Sequence, residues 1–71
     1  MDIEDEMPIS DARANLTEVV SVVRLQDRIV RLTKRGTAHA AIVPEDVATL
    51  IEAAGGLTAV RAALKGMRKS Q

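Results

Sequence analysis

Residues 28–43 constrain the fold of this 71-residue chain more than any other stretch. Arg28 to Lys34 is rich in β-branched and apolar residues, and Ala38 to Val43 forms a second apolar run. Arg35-Gly36-Thr37 lies between them as a turn signal, since glycine supplies the positive φ of a short hairpin loop. The pattern predicts a β-hairpin with strands of about residues 28–34 and 38–43. Val30 and Leu32 share the first strand with Arg28, Arg31 and Lys34. Such a strand buries one face only. Pro44 stops the second strand and suits the first position of a helix.

Helical spacing flanks the hairpin on both sides. Ala12, Leu16, Val19, Val20 and Val23 recur as one stripe and predict a helix over about residues 11–25. Ser10 is its expected N-cap, with Asp11 favourable in the first turn. Met7-Pro8-Ile9 precedes it as an edge strand or an extended lead-in. Val47, Leu50, Ile51 and Ala54 predict a second helix, ended by the hinge Gly55-Gly56. Leu57, Val60, Leu64 and Met67 form a third stripe, with Thr58 as its cap and Gly66 as an interruption. An isolated helix below about 12–15 residues is marginal in water, so this last piece needs something to cover its stripe.

The chain has no cysteine, no aromatic residue and one histidine. Disulfides, thiolate chemistry and zinc ribbons are excluded, and a histidine-based metal site is not expected at His39. Stacking platforms for single-stranded nucleic acid are missing. Large rings and covalent staples are absent from so small a chain, so self-association is expected. Asp2, Glu4, Asp5 and Glu6 stand where a secretory leader would be basic, and no apolar run nears the roughly 18–20 residues of a membrane span. The expectation is a cytoplasmic protein without a membrane partner.

Net charge is zero in sum but not in place. Residues 1–27 hold seven acids and two bases, and residues 44–56 hold three acids. Residues 28–43 hold four bases and no acid, as do residues 57–71. Two basic islands in an acidic frame are surfaces for anionic partners, of which nucleic acid is the commonest.

Three linked stretches resemble one family. Pro8-Ile9-Ser10-Asp11-Ala12-Arg13-Ala14-Asn15-Leu16 looks like the opening motif of the Phd/YefM antitoxins. Leu32-Thr33-Lys34-Arg35-Gly36, with Ala40 and Ile42-Val43-Pro44, resembles that family's hairpin, and Glu45-Asp46 matches the start of its next helix. The resemblance covers about residues 7–54. Near Val47 the chain departs from the pattern, because an aromatic residue is common there. The resemblance implies an α+β fold of order β-α-β-β-α with a C-terminal helical tail, in a homodimer. Residues 1–54 would form the dimerisation and DNA-binding domain, 55–56 a hinge and 57–71 a toxin-binding segment. Implied activities are neutralisation of a cognate toxin and autorepression at operator DNA. A stand-alone dimeric regulator without a toxin is the alternative.

Arg13 is the most informative single residue. It falls on the third helical position after Ser10, where a capping box would place Glu or Gln and where a cation opposes the helix dipole. Two roles fit: a phosphate held by Arg13 with free backbone N–H groups, or a surface arginine eased by Asp11 or Glu18. Lys34 and Arg35 at the hairpin tip suit phosphate contact or a solvated turn, and the resemblance places a DNA contact at Lys34. Ser10 and Asn15 complete the expected DNA-binding set. Arg28 and Arg31 can pair with the N-terminal acids. In the tail, Leu57, Val60, Leu64 and Met67 fit either a toxin groove or the protein's own dimer, with Arg61, Lys65 and Arg68 beside them. A basic tail matches an acidic groove such as that of a PIN-type ribonuclease better than a basic RNA-binding cleft, with a Doc-like or RelE-like toxin as the alternatives. No pair joins a nucleophile to a base, so neither an enzyme nor a cofactor is expected.

Overall fold

The computed structural model describes residues 3–69, and the side chains of Arg68 and Lys69 fall outside that description. The chain is a small α+β protein. It runs β1 (Glu6–Pro8), α1 (Ile9–Ala14), α2 (Leu16–Gln26), β2 (Val30–Lys34), β3 (Thr37–Ile42), α3 (Glu45–Ala53) and α4 (Leu57–Lys69). The three strands form one sheet in the order β1-β2-β3. β1 is parallel to β2, and β3 is antiparallel to it. Pro8 therefore lies on an edge strand, where its missing N–H is tolerated.

The hairpin matches its sequence signal closely. Lys34 and Thr37 close it, and its two central residues take positive φ, 54° at Arg35 and 80° at Gly36. Positive φ at both positions is the loop whose twist suits adjoining strands. The strands start later and earlier than expected. Arg28 is not in β2, because Asp27 ends α2 in the left-handed region and the Arg28 N–H bonds the Val23 carbonyl. The ladder also slips once: Leu32 faces Ala40 but Thr33 faces Ala38. His39 is left as the extra residue of a β-bulge.

The single expected helix over residues 11–25 is two helices. α1 begins at Ile9 with Pro8 as its N-cap, so Ser10 is a helical residue and makes no cap bond. Asn15 then breaks the run, with φ −123° and ψ 29°. Its side-chain amide donates to the Asp11 carbonyl at 3.0 Å, and its backbone N–H reaches the Asp11 and Ala12 carbonyls. Asparagine competes in this way with the regular helical ladder. The break divides the predicted stripe. Ala12, Val19 and Val23 are buried, whereas Leu16 and Val20 are about half exposed, at 51% and 48%.

Ile3, Val19, Val23 and Val30 make the core, flanked by Met7, Val22 and Ile42. Arg28 fastens the N-terminal segment over it. Its guanidinium bonds Asp5 Oδ1 at 2.8 Å, the carbonyl of Ile3 and, at 3.3 Å, Gln26 Oε1. The Arg31 N–H adds a bond of 2.7 Å to the Asp5 carbonyl. The pairing expected of Arg28 with an N-terminal acid is thus present.

α3 and α4 extend from this body. Pro44 is the N-cap of α3 rather than its first residue, and its carbonyl accepts the Val47 N–H. None of the described residues of α3 is buried. Gly55 bonds the Glu52 carbonyl and Gly56 the Ile51 carbonyl, with φ of 106° and 96°. These two bonds are a Schellman motif, and the positive φ explains the glycines. The chain bends by 80° there. Gly56 rather than Thr58 starts α4, its carbonyl accepting the Val60 N–H, and the helix continues through Gly66.

Candidate nucleic-acid interface

The register of the sheet builds the site. Pro8 pairs with Thr33, so the start of α1 lies beside the far end of β2 and the hairpin tip. Arg13 follows Ile9 by one helical turn and faces the same side. Pro8, Ile9, Ser10, Arg13, Thr33, Lys34 and Arg35 together line an open groove of about 480 Å³. Four of the five residues expected to bind DNA meet there: Ser10, Arg13, Lys34 and Arg35. No acid lines it. The side chains of Arg13, Lys34 and Arg35 make no hydrogen bond or ion pair with another described residue.

The structure changes the account of Arg13. It stands in the last turn of α1, not the first. A cation is favourable at that end, so the conflict with the dipole disappears. Its guanidinium is what the groove offers to an anion. Asn15 is not in the groove. It lines a separate depression of about 220 Å³ with Arg13, Ala14, Leu16, Thr17 and Glu18, and its amide is engaged with Asp11. Thr33 enters the groove without having been expected. It is 7% exposed, placed by the pairing with Pro8, which no local pattern reveals.

The tail residues lie apart from the groove. Leu57, Leu64 and Met67 are 56%, 52% and 63% exposed, and Val60 is half-buried. Arg61 and Lys65 are exposed on the same helix, while the side chain of Arg68 is outside the described residues. None of the stripe joins the core cluster. Among the described residues no cluster of His, Cys, Asp and Glu could hold a metal ion, and no single helix is long and apolar enough to cross a membrane. Compared with family models, curated proteins and solved structures, the chain matches none.

Proposed function

We propose that the protein is a Phd/YefM-like antitoxin that, as a homodimer, also represses its own operon at duplex operator DNA. One observation carries the DNA reading: three unpaired cations and a serine hydroxyl converge on an acid-free groove. Such a groove suits a phosphate backbone, with arginine able to reach a base edge. The absence of aromatic residues favours duplex over single-stranded DNA. The exposed apolar stripe of α4, beside Arg61 and Lys65, supports a tail that docks into an acidic groove on a cognate toxin, with a PIN-type ribonuclease the favoured kind. Half-exposed Leu16 and Val20 support a second copy as their cover.

The test is titration of the full chain onto duplex DNA from upstream of its reading frame, across a range of salt. Binding should weaken steeply with salt. Arg13→Ala and Arg35→Ala should each flatten the log–log slope by about 0.9, one phosphate each. An unchanged slope in both variants would remove the groove from the interface. Copurification of a small toxin from the native host separates the antitoxin from a stand-alone regulator.

A further inference from the structure

The hairpin tip divides two basic depressions. The second, of about 390 Å³, is lined by Lys34, Arg35, Thr37 and His39, with no residue from β1 or α1. Lys34 and Arg35 line both. We infer that Lys34, Arg35, Thr37 and His39 form a second site for a phosphate of duplex DNA, with His39 as a contact residue. This inference rests on the DNA reading above.

Three features carry it. First, His39 is the extra residue of the bulge, skipped between the Leu32–Ala40 and Thr33–Ala38 pairs. Bulges occur beside binding sites because they re-aim a side chain that regular pairing would fix. Second, His39 is exposed and its side chain makes no hydrogen bond with a described residue, so its ring N–H is available. Third, the lining is chemically selective. It combines two cationic donors with a hydroxyl and an imidazole, and includes neither an acid nor an apolar side chain. Lysine and arginine repel a metal ion. A phosphate oxygen pair accepts from such donors with charge-assisted strength. The tip then acts as a ridge, with a phosphate site on either side and Lys34 and Arg35 common to both.

The test uses the full chain, a random-sequence duplex at low salt, and fluorescence polarisation. His39→Leu should weaken binding about tenfold, the value of one charge-assisted hydrogen bond. His39→Gln keeps a donor and should recover most of that loss. Both variants should melt as the parent does, because the position is exposed. Parent-like binding by His39→Leu, alongside weakened binding by Arg13→Ala, would overturn the second site and leave the groove standing. Failure of the parent to bind any duplex would remove both. Inorganic phosphate supplies the remaining arm. If it shifts the His39 ring resonances as strongly as duplex does at equal phosphate, the site takes free phosphate and the DNA inference falls.

Discussion

Val19 and Val30 are fully buried, and a core this small has few neighbours to compensate for either. Truncating valine removes two methyl groups, so Val19→Ala and Val30→Ala should each cost about 2 kcal/mol. A chain of this length has about 4–10 kcal/mol in total. Urea unfolding will show it, and a loss below about 0.5 kcal/mol would place the core elsewhere. Arg28 offers a second contrast. Asp5 is 73% exposed, so Asp5→Asn should cost no more than about 1 kcal/mol. Arg28→Ala also strips the Ile3 carbonyl of its donor, in a part-buried place, and should cost clearly more. Equal losses would mean that the Ile3 bond contributes nothing.

At the scale of elements, breaks and turns decide where side chains go. The Asn15 break ends α1 after six residues and leaves Arg13 over the groove. Asn15→Ala removes the bond to Asp11 and favours one continuous helix. DNA affinity should fall with little change in melting temperature, and unchanged affinity would show that the break does not place Arg13. The α3–α4 junction is more demanding. A Cβ on Gly55 would stand 3.0 Å from Ala59 Cβ at φ 106°, whereas one on Gly56 meets nothing within 4 Å. Gly55→Ala should therefore disturb the bend more than Gly56→Ala, read as faster proteolysis between α3 and α4. The reverse order would point to backbone strain alone.

For the whole molecule, apolar surface is the governing fact. Leu16, Val20, Leu50, Leu57, Leu64 and Met67 are all about half exposed or more, in a chain with dimensions of 40 × 27 × 19 Å. If a second copy covers α2, the melting temperature will rise with protein concentration, and Leu16→Ala will reduce that dependence. A concentration-independent transition at the level of the monomer would remove the dimer. The tail predicts the opposite behaviour. Deleting residues 57–71 takes nothing from the core cluster, so the body should unfold at nearly the same midpoint and, on the proposed function, lose toxin binding. Collapse of the truncated chain would make α4 part of the fold.

Local patterns in the sequence determined the hairpin, the glycine bend, the helical stripes and the basic character of Lys34 and Arg35. Each depends on neighbours a few residues apart: a turn needs glycine, a stripe needs the helical period, and a charge needs no fold at all. Tertiary structure alone decided which residues meet. The Pro8–Thr33 register brings α1 to the hairpin tip, and the Leu32–Thr33 slip makes His39 a bulge. Periodicity could not show that Leu16 and Val20 leave the core, because the break at Asn15 is a side-chain bond competing with a helix. Register is set by contacts distant in the chain, and the bond at Asn15, though local, breaks a period that the apolar pattern alone carries through, so the groove forms only when the sheet closes.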